Sequence, residues 1–256
     1  MSCKEMRAYY FGDQCPWNSL ALEQARIAAD SLGLNLVKFD LSETIPDLPL
    51  FFPFTLIHSD LKIAGPVPSD FIVDVLEGRK TVSPFGDAKR RPTKNCDRIE
   101  RLSKESLRDA CLVCTNGTGN GAEKKIGWYE GFKGGDSLFG FVSYAKEIPV
   151  AFVEVMPSLL SPYSIPKSVS TAFISCIYNS RDSTYDYRSE LIQLSVEECR
   201  TRGFGSVEAL SGKKSPFPNG PASFFLQNGF EDLETVDSSV MMFSGRDDID
   251  LLIRNL

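Results

Sequence analysis

The sequence predicts a mixed α/β fold built from two units. In both halves of the 256-residue chain, short apolar segments typical of strands alternate with amphipathic segments typical of helices. Hydrophobic residues make up 42% of the chain, which is enough for ordered cores. A charged stretch with few aliphatic residues and several prolines separates the halves. We therefore expect one unit at residues 1–80, a linker at 81–102 and a second unit at 103–256.

The first unit alternates strands and helices in a simple order. A strand at Met6–Phe11 precedes a Cys-Pro-Trp-Asn turn and a helix whose apolar face ends at Gly33. A strand at Asn35–Leu41 follows, and after Pro53 come an apolar run and a last helix. This order predicts a βαβ motif followed by a hairpin and a helix.

The second unit carries the most informative stretch. Val169–Tyr178 is rich in β-branched and aromatic residues without Pro or Gly, which favours a buried strand. A polar loop precedes the predicted helix Ser189–Arg202, whose apolar residues fall on one face before a terminating glycine. A strand at Ser206–Leu210 and a short helix between Asn219 and Gly229 complete the series.

This succession resembles the GNAT N-acetyltransferase superfamily. The segments EECRTRGF at 197–204 and GPASFFLQNGF at 220–230 look like that family, and the resemblance covers roughly residues 103–245. It implies an acyl-CoA N-acyltransferase fold with a mixed, largely antiparallel sheet. It also implies transfer of an acetyl group from acetyl-CoA to an unidentified primary amine.

The same resemblance implies where acetyl-CoA would lie. Pantetheine would pair with the end of the Val169–Tyr178 strand, and the pyrophosphate would lie on backbone amides from roughly Arg181 to Ser189. The implied cofactor-binding residues are Ser175, Cys176, Ile177, Tyr178, Arg181, Thr184, Asp186, Tyr187, Arg188, Ser189, Ser223 and Phe224.

The phosphate loop departs from the family pattern. Ser183, Asp186 and Arg188 stand where family members place Arg or Gln and two small residues. Asp186 would repel a pyrophosphate, whereas Arg181 and Arg188 supply positive charge that favours it. Two hypotheses follow: a loop that binds coenzyme A weakly, or a solvated loop that only preserves the fold.

The catalytic residues also depart from the family pattern. Phe225 occupies the position of the usual Tyr that reprotonates the departing thiolate. The candidate substitutes are Tyr178, the pair Tyr185 and Tyr187, and Glu154, and for each of them a structural role is favoured. Cys176 lies within a strand and is interpreted as a buried hydrophobe, so direct transfer is favoured over a covalent relay.

The first unit resembles the thioredoxin and glutaredoxin fold. Cys15-Pro16-Trp17 lies where the redox Cys of that family opens the first helix, and Phe52–Thr55 looks like its cis-proline turn. Asn18 replaces the resolving Cys, which excludes a dithiol cycle within the motif. Cys15 could still be a reactive thiolate of a monothiol redox protein, because a helix N-terminus lowers a thiol pKa. Two alternatives to this redox role remain. The first unit could be retained for docking or dimerisation, and the whole chain could be a catalytically silent module that binds coenzyme A or docks to a partner.

Composition limits the remaining functions. A net charge of −6 and an isoelectric point near 5.0 oppose nucleic-acid binding. Seven cysteines show no spacing typical of a zinc site or disulfide framework, and Cys111 and Cys114 are interpreted as part of a strand. No long apolar span or signal peptide is recognised, so we expect a cytoplasmic protein without a metal or a membrane partner. A homodimer is compatible with these features.

Overall fold

In the computed structural model, which describes residues 4–44, 48–87, 90–132 and 134–256, eleven strands form one mixed sheet. The order of the strands across the sheet is β2-β1-β3-β4-β10-β11-β9-β8-β7-β6-β5. The strands are β1 (Glu5–Tyr10), β2 (Asn35–Asp40), β3 (Phe54–His58), β4 (Leu61–Ala64), β5 (Arg98–Arg101), β6 (Phe139–Ala145), β7 (Ile148–Pro157), β8 (Thr171–Asn179), β9 (Ser206–Gly212), β10 (Glu231–Met242) and β11 (Gly245–Asn255). The α-helices are α1 (Asn18–Leu32), α2 (Ser69–Leu76), α3 (Lys104–Cys114), α4 (Ala122–Gly131), α5 (Arg188–Thr201) and α6 (Ala222–Gln227).

The first unit has the predicted order of elements. Strand β1 pairs in parallel with β2 across helix α1, and β3 and β4 form the antiparallel hairpin before α2. Gly33 ends α1 in the left-handed conformation, with φ of 64°. The βαβ-hairpin-helix prediction is confirmed, whereas membership of the thioredoxin fold stays a prediction.

The second unit has the predicted mixed sheet. Strands β5 to β8 pair antiparallel in sequence, β8 and β9 pair in parallel, and β11 lies antiparallel between β9 and β10. Helix α5 packs on one face of this sheet with Val153, and helix α3 packs on the opposite face with Phe152. The two faces therefore have separate hydrophobic layers.

The predicted strand at Cys111 and Cys114 is wrong, because both residues lie in helix α3. Ser103 and Ser106 form a reciprocal capping box that begins this helix. Leu107, Ala110 and Cys111 then share a buried face at helical spacing, and this packing outweighs the short apolar run LVC.

The sheet continues across the boundary between the two predicted units. Ile63 of β4 pairs in parallel with Met241 of β10. This pair joins strands β1 to β4 to strands β5 to β11 in one sheet. The stretch predicted as a linker contains β5, and Pro84 and Thr93 form isolated bridges with Arg246 and Asp186. At Pro84, at Thr93 and along β5, this stretch is thus paired with strands or loops of the second unit.

Candidate functional site

The candidate site lies where strands β8 and β9 diverge. Their parallel pairing runs from Thr171 to Ile174 on β8 and does not continue toward the end of that strand. The pairing of β8 with β7 places Ile174 opposite Val155 and Cys176 opposite Glu154. Ser175 is therefore an extra residue on β8, a β-bulge that bends the strand and redirects the following side chains.

The side chain of Asn219 bridges the gap between the two strands. Its Oδ1 accepts a hydrogen bond from the backbone N–H of Ile177 at 2.8 Å, and its Nδ2 donates to the carbonyl of Leu210 at 3.1 Å. Asn219 is buried, so it replaces the missing ladder hydrogen bonds between the two strands. A ligand that pairs with Ile177 would have to displace this amide.

A cavity of about 440 Å³ opens beside the bulge. Ser175, Cys176 and Tyr178 of β8 line one wall. Cys15 and Trp17 from the turn before α1 line another, and segments 64–68 and 216–219 close the remaining sides. This volume falls in the range of small-molecule sites, and walls from both units enclose it.

Arg181 gives the cavity its charge. Its Nε donates to the hydroxyl oxygen of Tyr178 at 2.9 Å. Among the residues that the structure describes, Arg181 is the one charged side chain on the cavity wall. Burial raises the pKa of Tyr178, and the guanidinium of Arg181 offsets part of that rise. The phenol therefore stays protonated at neutral pH.

Glu154 lies in a buried polar network beside the cavity and does not line it. One carboxylate oxygen accepts from Gln14 Nε2 at 2.6 Å and from Ser175 Oγ at 2.7 Å, and the other accepts from Lys125 Nζ at 2.7 Å. Lys125 Nζ also donates to the carbonyl of Gln14 at 2.7 Å. Burial opposes the charge on Lys125, but the Glu154 carboxylate outweighs it and raises the pKa of Lys125.

This network joins the two units and was not predicted from the sequence. Gln14 follows β1, Lys125 lies in α4, and Glu154 and Ser175 lie on neighbouring strands. A Lys within a polar helix segment gives no sequence signal for such a pair. The structure places the predicted catalytic residue Glu154 in this ion pair and the other candidate, Tyr178, on the cavity wall.

At the phosphate loop, Asp186 and Arg188 bind each other. Arg188 donates to both carboxylate oxygens of Asp186, at 3.0 and 2.7 Å, and also to the carbonyl of Gly220 at 3.0 Å. Its guanidinium lies 4.0 Å from the ring centroid of Phe224. Burial of Asp186 would raise the pKa of its carboxyl, but the Arg188 contacts dominate and lower it.

The backbone amides of this loop also have partners within the chain. The N–H groups of Asp186, Tyr187 and Arg188 donate to the Pro92 carbonyl, to Asn179 Oδ1 and to Asp186 Oδ1, at 2.9 to 3.0 Å. Arg91 donates to the carbonyls of Ser180 and Arg181. Three of the amides expected to hold pyrophosphate are therefore already engaged at the start of α5.

The predicted cofactor-binding residues fall into three groups. One group lines the cavity, another lies in or beside the phosphate loop, and the third lies on the short helix α6 or within the core. The residues that line the cavity are Ser175, Cys176, Tyr178 and Arg181. Those in or beside the phosphate loop are Thr184, Asp186, Tyr187, Arg188 and Ser189. Ser223 and Phe224 lie on α6, and Ile177 lies in the core. The structure brings only the first group together with Cys15.

A second, smaller cavity of about 250 Å³ lies beside Ser223. Arg90, Lys213 and Lys214 line it, together with Asp87. Lys214 Nζ lies 3.0 Å from Asp87 Oδ1, and Lys213 Nζ lies 4.0 Å from Asp250 Oδ1, a residue outside the lining, so both lysines are partly neutralised. This cavity carries a net positive charge that sequence reasoning missed, because Arg90 and the lysine pair lie far apart in the chain.

Cys15 does not have the environment of a reactive thiolate. It lies in the turn before α1, and burial raises the pKa of its thiol to about 11 despite a hydrogen bond from the Trp17 backbone. The loss of hydration outweighs the helix N-terminus, and this raised pKa does not favour the hypothesis of a monothiol redox protein. In the described residues the cis peptide bonds precede Pro218 and Pro221, so the predicted cis bond before Pro53 is wrong.

Cys15 should consequently react slowly with alkylating agents. At pH 7.5 we expect its modification by iodoacetamide to be far slower than that of free cysteine, and to accelerate as the pH approaches 11. Peptide mass spectrometry of the folded protein, with urea-unfolded protein as the control, measures this rate. Fast labelling of Cys15 at neutral pH would restore the hypothesis of a monothiol redox protein.

Comparisons with known proteins give a distant structural likeness. No family model matches the sequence, and no curated protein matches it. Among solved structures, the chain is similar to a ribosomal-protein-alanine N-acetyltransferase from Brucella melitensis at 15% identity and a TM-score of 0.48, covering 62% of this chain and 99% of that one. An N-acetyltransferase from Staphylococcus aureus Mu50 is similar at 17% identity and 0.49, covering 62% and 97%.

The ribosomal-protein-S18-alanine N-acetyltransferase from Escherichia coli is similar at 14% identity and a TM-score of 0.46, covering 62% of this chain and 92% of that one. Within the described ranges, none of the helices combines the length and apolarity that crossing a bilayer requires.

Proposed function

We propose that the chain is an acyl-CoA-dependent N-acyltransferase that moves an acetyl group from acetyl-CoA to a primary amine. The observation that carries the proposal is the divergence of β8 from β9 at the Ser175 bulge, beside a cavity lined by Tyr178. A thioester arm could extend along this part of β8, with its acyl group in the cavity. The reacting atoms would then lie in a partly enclosed site with few charges.

In this proposal the acceptor nitrogen attacks the thioester carbonyl directly. A C–N bond forms, the C–S bond breaks, the nitrogen loses a proton and the thiolate gains one. Tyr178 accepts a hydrogen bond from Arg181, so its own proton remains free to be donated to the thiolate. We assign Tyr178 as the general acid.

In this proposal water takes the proton that the amine loses, because no carboxylate or imidazole of the described residues lines the cavity. Transfer of an ammonium group into a site without a carboxylate disfavours its charged form, and this lowers the pKa of the amine. Glu154, a candidate catalytic residue from the sequence, accepts hydrogen bonds from Gln14 and Ser175 at the cavity edge and is given no catalytic role in this proposal. The cationic cavity at Arg90, Lys213 and Lys214 supplies positive charge for the phosphates of coenzyme A, in place of the engaged loop amides.

Calorimetric titration of the full chain with acetyl-CoA tests this function. We expect weak but measurable binding, followed by acetylation of members of an amine panel, detected by mass spectrometry. Binding that yields no acetylated amine would contradict the transferase assignment. Desulfo-coenzyme A serves as the control ligand, since it binds without offering a transferable group.

A catalytically silent module is the second candidate. It is favoured by the closed phosphate loop, where Pro92, Asn179 and Asp186 occupy three amides and Asp186 neutralises Arg188. This candidate predicts no turnover on any amine, with or without binding of coenzyme A.

Removing the charge of Asp186 should strengthen acetyl-CoA binding. In Asp186→Asn the carboxylate no longer neutralises Arg188, whose guanidinium binds the carbonyl of Gly220 next to Pro221 of the cationic cavity. The positive charge near the phosphates therefore increases, and we expect affinity to rise about threefold to tenfold. Calorimetry at constant ionic strength measures the change. Asp182→Asn, which removes an exposed charge of the same loop, is the matched control. Equal affinities for Asp186→Asn and the parent chain would show that coenzyme A does not approach this loop.

A further inference from the structure

The larger cavity has walls suited to an apolar body. Phe217, Met242 and Phe243 line one side, and Pro66 and Val67 from the turn before α2 line another. Phe243 is 54% exposed although it is aromatic and large, and its ring meets Phe71 edge to face with centroids 5.6 Å apart. These surfaces gain most from a ligand with an aromatic or branched aliphatic group.

The cavity wall carries positive charge and no negative charge among the described residues. Within the described part of the chain, no Asp or Glu lines it, and Arg181 is its one ionised side chain. The Nε of Arg181 is used by the Tyr178 hydroxyl, but its two terminal nitrogens make no hydrogen bond or ion pair with any described residue. A planar guanidinium with two free nitrogens matches a carboxylate in the bidentate manner.

These features select among amines. A polycationic acceptor would enter without a carboxylate to hold its charges and would meet the repulsion of Arg181. An acceptor that carries its own carboxylate would pair with Arg181 while its side chain filled the apolar walls. A volume of about 440 Å³ is sufficient for one aromatic amino acid beside a thioester arm.

From this geometry we propose that the acceptor is an apolar or aromatic amino acid, bound in the cavity with its carboxylate on Arg181. The inference rests on the proposed acyl transfer for the role of the ligand, but the binding it predicts is measured without coenzyme A. Tyr178 then lies between Arg181, which binds the carboxylate, and the bulge at Ser175. Its hydroxyl accepts a hydrogen bond from Arg181, and it lies on the same strand as Ser175.

Three related compounds test the proposal by calorimetry with the full chain. Phenylalanine carries both groups, 3-phenylpropionate lacks the amine, and phenethylamine lacks the carboxylate. We expect phenylalanine and 3-phenylpropionate to bind about tenfold or more tightly than phenethylamine, the difference typical of a charge-assisted hydrogen bond. Equal or preferred binding of phenethylamine, or no binding of any compound, would overturn the proposal.

The Arg181→Gln variant tests whether Arg181 is the residue that binds the carboxylate of the ligand. Its affinity for 3-phenylpropionate should fall about tenfold or more, while that for phenethylamine stays unchanged. Arg200→Gln, on the exposed surface of α5, is the matched control and should bind all three compounds like the parent chain. An equal loss for both ligands would show that Arg181 acts only on the shape of the wall.

Mass spectrometry of phenylalanine incubated with acetyl-CoA and the protein separates the two proposals. Carboxylate-dependent binding without N-acetylphenylalanine would uphold the ligand class and overturn the transferase. Acetylation of phenethylamine at the same efficiency as phenylalanine would uphold the transferase and overturn the ligand class.

Discussion

Replacing Lys125 by Met should destabilise the protein by about 3 to 5 kcal/mol, the usual cost of leaving one partner of a buried ion pair unpaired. Lys125 and Glu154 are 3% and 0% exposed, and their charged atoms lie 2.7 Å apart. In Lys125→Met the Glu154 carboxylate would keep Gln14 and Ser175 as donors but lose its counter-charge. Because Gln14 belongs to the first unit, we expect the contact between the units to loosen as well.

Urea unfolding followed by circular dichroism measures this loss as a change in midpoint at constant slope. Lys124→Met is the matched control, because the neighbouring lysine is exposed and, among the described residues, donates to the hydroxyl of Ser19. The double variant Lys125→Met/Glu154→Leu should recover much of the lost stability, since it buries no unpaired charge. A loss below about 1 kcal/mol in the single variant would show that water reaches Glu154.

The strands and helices of the second unit were predictable where periodicity was strong. The predicted strand Val169–Tyr178 is observed as Thr171–Asn179, and the predicted helix Ser189–Arg202 as Arg188–Thr201. β-branched residues and a clear apolar face specify these elements locally. The strand predicted around Cys111 failed because a short apolar run fits either a strand or a buried helix.

The site was predictable only in part, because its geometry depends on contacts distant in sequence. Tyr178 lies near the end of β8 and Arg181 lies just after it, so the predicted strand was enough to suggest both as site residues. Gln14 meets Glu154 across 140 residues, and this pairing has no local signature. Burial likewise opposes the effect of the helix N-terminus on the pKa of Cys15, and a sequence shows the position of a residue in a helix but not its hydration.

The contacts within the phosphate loop were also not predictable from the sequence. Asp186 and Arg188 were expected to act separately on a pyrophosphate, one repelling and one attracting it. In the fold they bind each other, and the carbonyl of Pro92 reaches the Asp186 amide from the stretch predicted as a linker. Only the path of that stretch across the second unit brings the two segments together.

Tyr178→Phe should lower the rate of amine acetylation about 100-fold or more, within the range for loss of a general acid. The substitution removes the hydroxyl that Arg181 holds and leaves the apolar ring in place. Acetyl-CoA affinity should remain close to that of the parent chain, because the ring still covers the same part of β8. The expected effect therefore lies in kcat and not in the binding of the thioester.

The pH dependence separates a catalytic role of Tyr178 from a structural one. A general acid works in its protonated form, and burial raises the pKa of Tyr178 above its ordinary value of 10. The parent rate should therefore persist through neutral pH and fall only as the pH rises past that pKa, whereas Tyr178→Phe should lack this fall. Tyr185→Phe, which changes an exposed phenol of the loop after β8, is the control and should retain both rate and profile. If Tyr178→Phe kept the parent rate, the proton of the leaving thiolate would have to come from solvent.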